Sequence, residues 1–260
     1  QPSELVKLTV ILALAKYFDH RQPIREHRLT ELFIPLLIVL IPFLLILKQP
    51  DLGTGLILLI VFFSMVFYVG LDWKLVWVGA AGAGILIPIS WHFLKDYQRE
   101  RILTFFSPDR DPLGSGYHII QSMIAVGSGG VFGKGFLKGS QTQLKFLPEQ
   151  QTDFVFSVFA EEWGFLGCIV LLTMFLFLIL WGLKIMFHSK DYLGALIALG
   201  ITMLIFWEVF INIGMVLGIL PVVGIPLPFL SYGGSSMVVL MTAIGLLMNI
   251  SVRRFILQSS

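Results

Sequence analysis

Apolar runs long enough to cross a lipid bilayer recur along the chain, and they constrain its fold more than any other feature. A membrane-spanning helix needs about 20 apolar residues, and only helices and closed barrels satisfy their backbone groups in lipid. The composition, 57% hydrophobic and 13% charged residues, is outside the range of soluble domains. We therefore expect an all-α, polytopic integral membrane protein. The spacing predicts seven helices, over residues 3–18, 32–47, 55–69, 75–94, 153–181, 192–217 and 235–252.

The polar connections predict one transmembrane domain, residues 1–260, with two loops on the outer side of the membrane. Residues 95–152 form the only long polar segment, and residues 218–235 form a shorter one that is rich in Pro and Gly. The excess of basic residues in loop 19–31 places that loop in the cytoplasm, and alternation places the other two outside. The 218–235 loop is then expected beside the end of the long loop. The long loop is itself basic, which suits an anionic group such as a lipid headgroup.

Asp153 stands where the long loop meets the fifth predicted helix. Thr152 or Asp153 can cap this helix by accepting a backbone N–H bond, and a carboxylate there also meets the positive end of the helix dipole. An ionisable group at a membrane boundary is also a candidate functional residue. Small residues follow along one helical face, which lets another helix pack closely or leaves room for a ligand. They are Ser157, Ala160, Gly164 and Gly167.

Other polar side chains also allow two interpretations. Glu4 and Lys7 lie three residues apart on one helical face. They form either a plain ion pair or a charged pair that lines a polar cavity. Asp51 precedes the third helix, where an Asx turn would cap it. Glu208 and Asn212 lie one turn apart in an apolar helix. A carboxylate is costly there unless it is protonated, paired or facing an internal cavity.

Residues 127–139 are rich in glycine and contain Lys134 and Lys138, which suggests a phosphate-binding loop. A P-loop requires Gly where Ser128 stands and Ser or Thr where Gly135 stands, and no strand precedes the segment. The sequence therefore indicates no ATP site. Successive backbone N–H groups near a lysine can still bind a diphosphate.

The sequence gives no metal-ligand set and no certain cofactor. Asp109 and Asp111 resemble the Asp-x-Asp pattern of nucleotide-sugar enzymes, and their oxygens suit Mg²⁺ or Mn²⁺. The same residues are typical of a surface turn, which we favour. The five histidines show no metal-ligand spacing, and the net charge of +2 indicates no particular partner. We expect no nucleic acid among the partners of the protein. Whether it uses a divalent cation (Mg²⁺ or Mn²⁺) stays open.

Taken together, several stretches resemble the SEDS family, the shape, elongation, division and sporulation proteins. They cover essentially the whole chain, and residues 117–122 and 141–149 are more similar to the elongation enzymes than to the division enzymes. The family fold has more helices than the seven predicted here, so we expect N-terminal helices to be missing from this sequence. The stretches are residues 1–4 with Lys7, 49–54, 111–117, 121–122, 127–130, 146–149, 152–154, 212–215, 221–228 and 231–235.

The resemblance implies a peptidoglycan glycosyltransferase that joins lipid II units outside the bacterial cytoplasmic membrane, with undecaprenyl diphosphate as leaving group. Its implied partners are a class B penicillin-binding protein, the growing glycan strand and membrane lipids. Asp153 matches the essential aspartate of the family, and we expect it to be the general base. Glu4 and Lys7 match a charged pair in the central cavity, and Asp51 matches another family acid. The residues expected to bind substrate or diphosphate are Arg99, Arg101, Gln121, Ser122, Lys134, Lys138 and Ser231.

Two functions of other classes remain compatible with the residues alone. A transporter or flippase for the lipid-linked precursor would also use a polar pair, proline kinks and an acid in a cavity. A membrane scaffold would only hold the crosslinking partner. A flippase moves headgroups without lengthening them, and a scaffold tolerates the loss of Asp153, so both are distinguishable from a polymerase.

Overall fold

The protein is described by a computed structural model that covers residues 1–20, 29–49, 51–70, 99, 103–105, 107, 115–139 and 152–256. These residues form helices and loops and contain no strand, which confirms the expected all-α class. The helix predicted over residues 75–94 lies outside the described residues. The helices are α1 (Pro2–His20), α2 (Leu29–Lys48), α3 (Leu52–Gly70), α4 (Ser115–Ser128), α5 (Val155–Phe187), α6 (Tyr192–Val216) and α7 (Gly234–Ile256).

Four of the described helices are long and apolar enough to cross a membrane. They are α3, α5, α6 and the part of α7 up to Arg253, and α2 contributes a shorter apolar helix over Leu32–Lys48. Large apolar side chains are exposed on them, including Phe63 at 60% and Phe177 at 72%. Such a surface is unfavourable in water but suits lipid chains. The chain is therefore a polytopic membrane protein.

The chain divides into two compact units. The first consists of Gln1–Gly84, Phe177–Trp207 and Gly234–Ser260, and the second consists of Ile85–Leu176 and Glu208–Gly233. The single transmembrane domain over residues 1–260 stays a prediction.

In the first unit, α1 packs against α2, α3 and α7. Helix α6 also approaches α1 closely, because Gly200 of α6 presents no side chain to Ile11 of α1. A Cβ at that glycine would overlap the isoleucine. Ile11, Leu14 and Met65 are fully buried there. A hydrogen bond of 3.0 Å from Trp207 Nε1 to Ser64 Oγ fixes α6 to α3. Apolar packing and this hydrogen bond thus both hold the described helices of the unit together.

Helix α5 is broken, whereas the sequence predicted one continuous helix from residue 153. Gly164 has φ 66° and ψ −167°, values outside the helical region. The break leaves a short segment, residues 155–163, and a long segment, residues 165–187. At 1.5 Å per residue the long segment extends about 35 Å, enough to span the hydrocarbon core by itself. The short segment begins two residues after Asp153.

Candidate active site

Asp153 lies in the turn that leads into the short segment of α5. Ser157 closes this turn, since its backbone N–H and its hydroxyl both donate to the Phe154 carbonyl, at 3.1 and 2.7 Å. Phe154 and Ser157 are buried, while Asp153 is half-buried. The apolar contact of Phe154 therefore holds the turn against the protein and leaves the neighbouring carboxylate partly accessible.

The carboxylate of Asp153 lies against Gly224 in the loop between α6 and α7. A Cβ built on Gly224 would be 3.3 Å from Asp153 Oδ2, and this glycine has φ +74°. A side chain here would crowd the carboxylate and strain the backbone. The loop predicted over residues 218–235 thus lies beside Asp153, as the topology indicated, and Gly224 provides the close approach.

A completely buried asparagine on α6 connects the two backbone segments around Asp153. Asn212 Nδ2 donates to the carbonyl of Asp153 at 2.9 Å and to the carbonyl of Ile225 at 2.7 Å. The exposed fraction of Asn212 is 0%. One amide group therefore connects the carbonyl of Asp153 to the carbonyl of Ile225, the residue after Gly224.

A second side chain makes a similar connection one residue earlier. Ser231 Oγ donates to the Thr152 carbonyl at 2.5 Å and accepts from the Leu227 N–H at 2.7 Å. Ser231 is 5% exposed, so its hydroxyl is committed to the protein backbone. This geometry favours a structural role for Ser231 over the substrate contact predicted from the sequence.

The glycine-rich stretch at residues 129–139, termed the glycine loop, lies on the break in α5. A helix break frees backbone groups that must find other partners, and at membrane depth irregular backbone is tolerated only inside protein or beside a cavity. The glycine loop supplies these partners in both directions. Its four hydrogen bonds run from Lys134 N to Glu161 O (2.9 Å), Gly135 N to Glu162 O (3.0 Å), Phe165 N to Gly130 O (2.9 Å) and Leu166 N to Val131 O (3.1 Å).

This docking requires glycine on both sides. A Cβ on Gly133 would overlap the Glu162 carbonyl, and a Cβ on Gly164 would overlap the backbone of Gly133 and Phe132. The glycine loop therefore covers the strip of small residues on α5 at Ala160 and Gly164. The amides of Lys134 and Gly135 donate to backbone carbonyls in this contact, and diphosphate binding by the loop stays a prediction.

A buried ion pair accompanies the docked loop. Lys134 Nζ lies 2.7 Å from Glu161 Oε1, with Glu161 completely buried and the lysine side chain 30% exposed. Ser128 Oγ lies 3.4 Å from the same carboxylate oxygen. A buried carboxylate needs such partners, so the geometry favours loop attachment over diphosphate binding as the role of Lys134.

Sequence reasoning missed Glu161 and Glu162, which are 0% and 7% exposed. Two adjacent acids inside an apolar run were the signal that was available, because an intramembrane carboxylate requires a partner.

The other residues predicted to bind substrate lie in several places. Ser122 is completely buried, and its hydroxyl donates to the Val216 carbonyl, which ties α4 to the end of α6. Gln121 and Arg99 are half-buried, and Lys138 is exposed. Arg101 lies outside the described residues. The geometry favours a structural role for Ser122, and the binding roles of the others stay predictions.

Comparison with known proteins decides the family. Residues 1–255 match the cell cycle protein family of FtsW, RodA and SpoVE. The chain belongs to this family. The resemblance to the SEDS proteins is thereby confirmed.

Curated relatives align with nearly the whole length of this chain. The peptidoglycan glycosyltransferase MrdB of Escherichia coli K12 is 46% identical over 261 residues, which cover 100% of this chain and 70% of the relative. Stage V sporulation protein E of Bacillus subtilis 168 is 42% identical over 254 residues, covering 96% of this chain and 68% of the relative.

Solved structures share the fold. One is a chain of a peptidoglycan synthase complex that coordinates polymerization and crosslinking. It has a TM-score of 0.81 and 38% identity, and the match covers 98% of this chain and 70% of that chain. The rod shape determining protein RodA of Thermus thermophilus has a TM-score of 0.66 and 30% identity, over 98% and 66% of the two chains.

The acids that the SEDS resemblance singled out in the first unit both have protein partners. Lys7 Nζ lies 2.8 Å from Glu4 Oε2, and the two residues are 4% and 5% exposed, so they form a buried pair. Asp51 accepts from the N–H of Thr54 at 3.0 Å, from its hydroxyl at 2.8 Å and from Gln1 Nε2 at 3.1 Å. The expected cap of α3 by Asp51 is confirmed, and a further role in a cavity stays a prediction for all three.

The described part of this SEDS chain contains no group of three His, Cys, Asp or Glu side chains that could hold a metal ion. Asp109 and Asp111 lie outside the described residues. The described residues therefore do not provide a ligand set for Mg²⁺ or Mn²⁺.

Proposed function

We propose that the chain is a peptidoglycan glycosyltransferase that polymerises lipid II and releases undecaprenyl diphosphate. The support is the 46% identity, over the whole chain, to a peptidoglycan glycosyltransferase and the likeness to a peptidoglycan synthase complex. The single observation that carries the catalytic assignment is the half-buried Asp153, whose carboxylate lies beside Gly224 just before a helix. A general base needs this combination of fixed position and partial access.

Asp153 is the proposed general base. The acceptor sugar presents a 4-hydroxyl, a weak nucleophile that requires proton removal as it attacks. Its oxygen forms a bond to the anomeric carbon of the donor while the bond from that carbon to the diphosphate oxygen breaks. The proton passes to the Asp153 carboxylate, and the electron pair leaves with the diphosphate. Because this displacement inverts the donor carbon, it needs no covalent enzyme intermediate.

The departing diphosphate needs positive charge nearby. Lys138 is exposed, whereas Lys134 is already paired with Glu161, so Lys138 is the better candidate in the glycine loop. Arg99 and Arg101 remain proposed contributors. A divalent cation such as Mg²⁺ or Mn²⁺ also stays a proposal, and no step above depends on it.

We place the enzyme in the bacterial cytoplasmic membrane with Asp153 on the extracytoplasmic side. The support is the distribution of basic residues, which puts loop 19–31 in the cytoplasm and the loops around Asp153 opposite. We further propose a class B penicillin-binding protein as partner. The coordination of polymerization with crosslinking in the related synthase complex supports this assignment.

Polymerisation of purified lipid II tests the function. The protein would be used in complex with its partner, with crosslinking blocked, and Asp153→Asn compared with wild type. Asp191→Asn is a matched control, because Asp191 is also at a helix start and accepts from the Gly194 N–H at 3.1 Å. Asparagine caps helices as well as aspartate does, so this control should polymerise normally. Asp153→Asn should make no glycan while still binding the partner.

Normal polymerisation by Asp153→Asn would make Asp153 a helix cap and overturn the base assignment. Wild-type protein that moves lipid II across a vesicle membrane without joining it into glycan would be a flippase. Wild-type protein that binds the partner and does neither would be a scaffold.

A further inference from the structure

We infer that Asn212 is a positioning residue for glycosyl transfer, acting through the backbone of Asp153. The inference rests on the proposed function, in which Asp153 is the general base. Its basis is the pair of hydrogen bonds from Asn212 Nδ2 to the carbonyls of Asp153 and Ile225.

The orientation of the Asn212 amide is determined by its partners. An amide group has two N–H donors on nitrogen and only acceptors on oxygen. Both neighbours, Asp153 O at 2.9 Å and Ile225 O at 2.7 Å, are carbonyl oxygens. A flipped amide would place its oxygen against two other oxygens, which is repulsive. Nitrogen therefore faces these carbonyls, and each N–H has one of them.

The oxygen of the Asn212 amide lowers the stability of the folded protein. Asn212 Oδ1 is buried and has no hydrogen-bond partner among the described residues, and the whole residue is 0% exposed. A buried acceptor without a partner destabilises the folded state. A leucine of similar size would avoid this cost and fill the same space. The two bonds that Asn212 donates to Asp153 O and Ile225 O offset this cost.

These two bonds fix the geometry that the proposed base needs. One reaches the carbonyl of Asp153, and the other reaches the carbonyl of Ile225, next to the Gly224 against which the Asp153 carboxylate lies. Loss of the amide leaves Ser231 as the tether one residue earlier, at Thr152. The turn would remain attached, while the carboxylate could shift relative to Gly224. A displacement of about 1 Å at a reacting group can cost about 100-fold in rate.

The experiment compares Asn212→Leu and Asn212→Asp with wild type in the complex with its partner. Leucine removes both donors at similar volume, and aspartate keeps the shape while replacing the donating NH₂. Asn249→Leu is the control, because Asn249 is exposed on α7. Lipid II polymerisation would give kcat per folded enzyme and KM, and thermal unfolding would give the folded fraction. We expect kcat to fall about 10- to 100-fold in both Asn212 variants, with KM little changed and the control like wild type.

A purely structural role would lower the amount of folded enzyme and leave kcat per folded molecule unchanged, and that result would overturn the inference. Unchanged kcat, or a change confined to KM, would also overturn it. Should Asn212→Leu not fold, Asn212→Asp and Ser231→Ala provide the same comparison at the two adjacent peptides. Asp153→Asn assayed in parallel separates the two proposals. If it polymerises, the proposed base fails; if it is inactive and the Asn212 variants turn over normally, only the role of Asn212 fails.

Discussion

Lys134 of the glycine loop and Glu161 of α5 form an ion pair of 2.7 Å in which the carboxylate is completely buried. The same loop makes four backbone hydrogen bonds across the break at Gly164. The pair and the break therefore belong to one structural element, whose strength single substitutions can measure.

Removal of the lysine should destabilise the protein more than removal of the acid. Lys134→Met leaves a buried charge without its cation, which costs about 3 kcal/mol. Glu161→Gln removes the charge and keeps a polar group near Ser128 Oγ, so its cost should be smaller. Thermal unfolding in detergent would measure both, and the double variant should be more stable than Lys134→Met alone. A double variant as unstable as the sum of the two single changes would show that the pair is not coupled.

Gly164→Ala should be among the most destabilising small substitutions in the chain. Its Cβ would overlap the backbone of the glycine loop, and φ +66° is unfavourable for alanine. Gly127→Ala is the control, because Gly127 lies in α4 with nothing within 4 Å of its added Cβ. That change should leave stability unchanged or raise it by up to about 1 kcal/mol, as alanine favours helix. Equal unfolding midpoints for the two variants would contradict the docking of the loop on the break.

Gly224→Ala should lower polymerisation more than it lowers stability. The new methyl group would lie 3.3 Å from Asp153 Oδ2, at a glycine with φ +74°. Displacement of the base reduces kcat, whereas the strain costs only about 1–2 kcal/mol. The paired control is Gly234→Ala, where nothing lies within 4 Å. Glycan synthesis per folded enzyme would decide this, and normal synthesis by Gly224→Ala would argue against a carboxylate acting at this place.

The two candidate roles of Asp51 can be separated by comparing Asp51→Asn with Asp51→Ala. Asparagine retains capping of α3, and alanine removes it at a cost of about 1 kcal/mol. If capping is the whole role, Asp51→Asn should keep both the unfolding midpoint and polymerisation. Polymerisation lost in Asp51→Asn at an unchanged midpoint would instead support the cavity role that the family resemblance implies.

The limits of α6 were predictable because its apolar run ends where polar residues begin. Helix α6 was predicted over residues 192–217 and is observed over Tyr192–Val216. The break in α5 was not predictable in this way. A single glycine within an apolar run is compatible with a continuous helix, and Gly164 departs from it because the glycine loop occupies the space of a side chain. Glycine content alone likewise does not distinguish a loop that binds a phosphate from one that binds its own chain.

The site was predictable in part. A carboxylate at the joint between a long polar loop and an apolar helix identified Asp153, and topology placed the 218–235 loop beside it. Its support was not visible, because Asn212 is 59 residues from Asp153 in sequence. The partner of Glu161 is 27 residues away. Such pairings depend on tertiary packing, and residue type and spacing do not determine them.

The short segment of α5 has an attachment at each end. Asn212 and Ser231 hold the turn before it, and the glycine loop holds its last residues. Nine residues of helix extend about 13 Å, so the segment is a short, rigid helix whose two ends are both bonded to the rest of the protein. The proposed base therefore has little freedom to swing towards a substrate by itself. For Asp153 to act as the proposed base, the acceptor sugar therefore has to move to the carboxylate.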